Sequence, residues 1–167
     1  REGVDAFPLF HPYLVHETNG IPGSKPLLPL SGITNKYSVS CNESGKYAVN
    51  LNDRFGFNNP DSEWDSPKTE WLLVGDSLTY GACVQPGEGI SGQIRIITGE
   101  NVINLGIHGN GPLTELAILK EYAKPRQPKK VIWAYYPNDS IDLTEEISVP
   151  LLMSYLQEEF SQRLIHR

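Results

Sequence analysis

In "LLVGDSLTYG" a serine, Ser77, stands directly after an apolar run that ends in Gly75-Asp76. A serine hydroxyl attacks a carbonyl carbon when a base takes its proton. Further on, "NLGIHGNGP" supplies a glycine-rich loop whose backbone N–H groups suit a developing oxyanion. "YYPNDS" supplies Asn138, whose side-chain amide adds a donor of the same kind. One such donor typically lowers an acyl-transfer barrier by about 3 kcal/mol. Each feature also has an ordinary explanation. A serine after a strand caps the next helix, Gly-Asn-Gly makes a tight turn, and Asn-Asp is common turn chemistry. Their joint appearance, each at the end of a short apolar segment, is what points to a site.

Those segments must therefore be strands of one sheet. "WLLVG", "NVINLG" and "KKVIWAYYP" are short apolar runs with Gly, Asn or Pro at their ends. Between them, "GISGQIRIIT" and "GPLTELAILKEYAK" have helical patterning; in the second, Leu113, Leu116, Ala117, Leu119 and Ala123 approximate one apolar face, with Pro112 in the first turn. "VPLLMSYLQEEFSQRLIHR" predicts a long closing helix. Alternating strands and helices imply a parallel sheet covered on both faces. Right-handed crossovers bring the carboxyl ends of the strands to one edge, where open α/β sheets bind ligands. Ser77, the glycine loop and Asn138 all fall on that edge.

The chain divides near Pro67. Residues 1–67 carry no helical periodicity, and they read as an N-terminal arm or cap. "KYSVS" and "KYAVN", on either side of "CNESG", predict a β-hairpin. Residues 68–167 form the α/β domain. The 167 residues carry 14 Lys and Arg against 20 Asp and Glu, a net charge of −6, without a basic run or face. That argues against nucleic acid as a partner. No segment is apolar and long enough to span a bilayer, and no signal peptide is visible. The sequence does not begin with Met and reads as part of something longer. Cys41 and Cys83 are either two buried thiols or one disulfide tying the arm to the loop after Ser77. His11 and His16 lack the partners of a zinc pattern and read as structural. No metal and no cofactor is expected. Trp64, Trp71 and Trp133 read as core or contact residues, with Trp64, in a loop, the best candidate for a sugar platform.

Gly75-Asp76-Ser77-Leu78 resembles the nucleophile motif of the SGNH (GDSL-type) hydrolases. "INLGIHGNG" is similar to that superfamily's second block, and alignment on the shared Asn assigns its oxyanion-hole glycine to Gly109. "YYPND" resembles the third block, with Asn138 as its asparagine. The likeness spans roughly residues 70–142, and "NDRFGFNNP" is similar to a segment of uncharacterised bacterial members. The resemblance implies a flavodoxin-like three-layer αβα fold and metal-free esterase chemistry. The substrate would be a small-molecule or carbohydrate ester. It also admits polysaccharide O-acyl transfer.

Two departures stand out. Tyr136 replaces the glycine of the third block. The Asp-x-x-His that supplies acid and base is absent: the histidines after Ser77 are His108 and His166, and Arg163 stands three before His166. Three explanations follow. The favoured one is a fragment whose base lies beyond Arg167. Alternatively His108, beside Gly109, is the base. The third is a catalytically silent carbohydrate-binding or assembly domain. Asp76 reads as holding the nucleophile turn, and Asp139 and Asp142 as capping or beginning the next segment. An extracytoplasmic location, periplasmic or secreted, is expected; no oligomeric state follows.

Overall fold

A computed structural model describes residues 27–43 and 45–166. The histidines His11 and His16 lie outside the described residues, as does most of the segment before Pro29. In chain order the elements are β1 (Tyr37–Val39), β2 (Val49–Leu51), β3 (Trp71–Gly75), α1 (Ser77–Tyr80), α2 (Ile90–Thr98), β4 (Val102–Asn104), α3 (Pro112–Ile118), β5 (Lys130–Ala134), α4 (Asp139–Glu146) and α5 (Pro150–Ser154). The molecule is mixed α/β.

The first two strands pair antiparallel, Tyr37 opposite Leu51 and Val39 opposite Val49, so the predicted hairpin is present. The other three form a parallel sheet in the order β4-β3-β5. The central strand β3 is buried along Leu72, Leu73 and Val74, which suits a run of branched apolar residues with no polar alternation. β4 is likewise buried throughout. β5 departs from the expectation of a sheet covered on both faces: Val131 and Trp133 are about half exposed, at 51% and 59%. It is an edge strand, paired only with β3 among the described residues.

Leu28, Leu30, Phe57 and Trp64, from the segment before Pro67, share one apolar cluster with Leu72, Ile103, Leu105, Ala117, Ile118 and Leu152. Asp53 locks this docking. Its buried carboxylate accepts from the N–H groups of Phe55 (2.8 Å) and Phe57 (3.0 Å), from Asn59 Nδ2 (2.8 Å) and from Trp64 Nε1 (2.7 Å). Trp64 is thus a core residue and no sugar platform; the exposed tryptophan is Trp133. Cys41 and Cys83 form a disulfide across 42 residues, which fastens the hairpin to the loop after α1.

The long closing helix does not form. α5 stops at Ser154, and bends and a short 3-10 turn, Leu164–His166, follow. Glu121 explains the break. Its carboxylate accepts from Gln162 N (2.5 Å) and Leu164 N (2.8 Å), so those N–H groups are not available to a helical ladder. The Gln162 side chain meanwhile bonds both backbone groups of Leu28. His166 therefore sits in an exposed turn and not at the end of a long helix.

Candidate functional site

The three strand ends meet at Gly75. On one side the chain beyond β4 keeps pairing with β3: Leu105 N donates to Leu73 O (2.8 Å) and Ile107 N to Gly75 O (3.2 Å). On the other side Gly75 is in register with Ala134 of β5. The row Ile107, Gly75, Ala134 thus brings His108-Gly109, Asp76-Ser77 and the segment leading to Asn138 to one edge. Gly75 is required there. A Cβ on it would lie 2.3 Å from Thr79 Oγ1 and 2.9 Å from the Ala134 carbonyl. Gly109 has φ +71°, the left-handed region in which glycine carries no steric cost.

Asp76 caps the turn that presents Ser77. Its Oδ1 accepts from Leu78 N (3.0 Å), and its Oδ2 stands 3.5 Å from Ser77 Oγ. Asn104 secures the far end of α1: its Nδ2 donates to Thr79 O (2.7 Å) and its Oδ1 accepts from Gly106 N (2.9 Å). The serine is thereby half-buried on a short helix pinned at both ends.

His108 is half-buried, and its ring lies 4.5 Å from the Tyr80 ring, centroid to centroid. Its Nε2 makes no hydrogen bond. Burial pushes its pKa below the usual histidine value, partly offset by the Asp76 carboxylate, so the ring is neutral at pH 7. No hydrogen bond joins it to Ser77 among the described residues. Asn138 is half-buried and donates one Nδ2 hydrogen to Asp142 Oδ2 (2.9 Å), which leaves the second hydrogen for a ligand. Asp139, fully buried, accepts from Tyr136 N (2.8 Å) and so shapes the turn that carries Asn138. Asp139 and Asp142 thus hold and begin α4, as expected.

Two buried glutamates outside the motifs, Glu146 and Glu115, lie near this edge. Glu146 of α4 reaches the glycine loop, accepting from Gly111 N (2.8 Å), Leu113 N (2.7 Å) and Thr114 N (3.1 Å). It caps α3 from another element and ties the loop of Gly109 to the helix after Asn138. Glu115 of α3 is 1% exposed and accepts from Trp133 Nε1 at 2.6 Å. Burial pushes its carboxyl up to about 7, with Asp139, Glu146 and Asp76 adding like charge. Sequence patterning passed over both: Glu115 because a Glu inside an amphipathic helix reads as a solvated residue, and Glu146 because its polar segment carries no helical pattern. Their only signal was position, Glu115 beside Leu113 and Ala117 on a buried face. Among the described residues no group of three or more His, Cys, Asp and Glu side chains is arranged to hold a metal ion.

Away from this edge, a cavity of about 320 Å³ opens between the hairpin and α2, lined by Asn35, Tyr37, Asn52, Asn58, Tyr80 and Arg95 among others. In comparisons with known proteins, no family model, no curated protein and no solved structure matches the chain.

Proposed function

We propose that the chain carries the nucleophile and oxyanion half of an SGNH-type serine hydrolase acting on ester-linked acyl groups. The supporting observation is the row Ile107, Gly75, Ala134, which brings Ser77 between the Gly109 loop and the Asn138 turn. On this reading Ser77 Oγ attacks the ester carbonyl, and the free hydrogen of Asn138 Nδ2 and the N–H of Gly109 stabilise the tetrahedral oxyanion. His108 is the base candidate among the described residues. It is neutral, its Nε2 is free, and the Asp76 carboxylate stabilises the imidazolium that forms when it takes the proton. The parallel order β4-β3-β5, with helices between the strands, supports the flavodoxin-like arrangement expected of this class. The disulfide between Cys41 and Cys83 fits an oxidising, extracytoplasmic compartment, and among the described residues no helix is long and apolar enough to cross a membrane.

Hydrolysis of p-nitrophenyl acetate tests the reading. Turnover that falls at least about a thousandfold in Ser77→Ala supports it; turnover indifferent to that change refutes it.

A second reading has its own observation. No histidine is hydrogen-bonded to Ser77 among the described residues, and the cavity beside the hairpin is rich in asparagine. A catalytically silent carbohydrate-binding domain would bind saccharides through that cavity. Binding would then survive Ser77→Ala and fail in Asn58→Ala.

A further inference from the structure

Glu115 is the buried titratable group that the acyl-transfer scheme does not use. Its surroundings are unusual. Trp133 Nε1 occupies Oε2 at 2.6 Å, whereas the buried Oε1 has no hydrogen-bond partner. Asp139 repeats the pattern: Tyr136 N occupies Oδ2, and the buried Oδ1 has no partner. Asn138 Oδ1, in the same turn, is also without one. Neither Glu115 nor Asp139 is in an ion pair among the described residues. Two unpaired carboxylates this deeply buried are unfavourable as ions, and a protein relieves that by keeping a proton on one of them.

The groups facing Glu115 are all acidic or neutral. Asp139 and Glu146 come from α4, Asp76 from the end of β3, and the Trp133 indole from β5. α5, which also packs on α3, has the sequence PLLMS and brings no titratable side chain. In the helical segment after α3, Glu121 is committed to Tyr155, Gln162 and Leu164, and Lys120 to the Tyr155 carbonyl. His108 interacts with Asp76, but no cation pairs with Glu115 or Asp139 among the described residues. Glu146 and Asp76 each spend their charge on backbone N–H groups. The proton therefore falls to Glu115 or Asp139. Asp139 is held by its own turn, whereas Glu115 is pushed up first by its burial and further by the three carboxylates, and it takes the proton.

We propose that Glu115 is a protonation-dependent positioning residue. As a neutral acid it lets the Tyr136–Asp139 turn close and hold Asn138 toward the Ser77 edge; as a carboxylate it repels Asp139 and releases that turn. Only the consequence for acyl transfer rests on the hydrolase reading; the coupling of Glu115 to the turn does not.

Hydrogen exchange of the peptide spanning residues 135–147, corrected for intrinsic rates and followed from pH 5.5 to 8.5, tests it. In the wild type, protection of this peptide should fall at least about tenfold as the pH passes 7. In Glu115→Gln, which keeps the Trp133 contact and remains neutral, it should stay level. The same pH dependence in Glu115→Gln, or none in the wild type, overturns the proposal. The Trp133 indole N–H resonance of the wild type supplies a second measurement that needs no variant. A midpoint near 7 is expected, and one below 5 overturns the assignment. Phosphonate labelling of Ser77 over the same range separates the two ideas. Absence of labelling at every pH refutes the hydrolase reading alone, whereas labelling that declines above pH 7 in wild type and not in Glu115→Gln joins them.

Discussion

At the scale of single residues, the proposed site depends on polar groups that local bonds leave partly free. Asn138 spends one amide hydrogen on Asp142 and keeps one. On the proposed hydrolase reading, replacing it with Ala removes an oxyanion donor, so kcat for ester hydrolysis should drop about a hundred- to a thousandfold with little change in KM. If His108 is the base, as proposed, it sets the acid limb. Its folded pKa is depressed by burial below the ordinary 6.5, so the neutral form persists to lower pH than in a free histidine. The midpoint of the acid limb in kcat/KM should therefore lie below 6.5, and His108→Gln should remove the activity itself. An acid limb centred above 6.5 would contradict this role. The Ser, Gly and Asn of the motifs were legible in the sequence, because strand ends and turn residues announce themselves. Glu115, Asp139 and Glu146 were less so. What matters about them is burial, and burial of a charge depends on partners tens of residues away.

At the scale of elements, two carboxylates do the joining. Glu146 ties the start of α3 to the end of α4 and so couples the Gly109 loop to the Asn138 helix. Glu146→Ala leaves three buried N–H groups without their acceptor. At about 1–3 kcal/mol for each unsatisfied group, the loss should be about 3 kcal/mol or more in denaturant unfolding. Glu115 acts in the opposite sense. Its folded pKa, about 7, lies above its ordinary 4.5, so the folded state holds the proton more tightly than the unfolded chain. Stability should then decline as pH rises from about 4.5 to 7, by roughly 3 kcal/mol at most, and level off above. In Glu115→Gln that slope should vanish, and at pH 8 the variant should be the more stable protein. The strands were legible as elements: WLLV, VIN and KVIWA are apolar runs with clear ends. The last helix was misread because the recruitment of Gln162 and Leu164 by Glu121 spans about forty residues. α4 went unrecognised as a helix because its sequence, DSIDLTEE, is polar on nearly every side.

At the scale of the whole molecule, stability is centred on β3 and declines toward β5. Leu72 is fully buried, so Leu72→Ala should cost about 2–5 kcal/mol. Val131, 51% exposed on the open edge, should tolerate Lys within about 0.5 kcal/mol. The disulfide closes a loop of 42 residues around the nucleophile strand. Chain-entropy arguments assign such a closure about 4 kcal/mol, so the Cys41→Ser/Cys83→Ser protein should unfold at markedly lower denaturant. The pairing was one of two readings that the sequence left open, since two cysteines carry no statement of distance. The hairpin supplies that distance by returning the chain to the loop after α1.

The account turns on Ser77 as a nucleophile. Treatment of the folded chain with a fluorophosphonate, followed by peptide mass analysis, tests this directly. The prediction is one adduct, on the peptide containing Gly75-Asp76-Ser77, that forms in the wild type and is lost in Ser77→Ala. A folded protein that remains unlabelled, or that is labelled equally in Ser77→Ala, would contradict it.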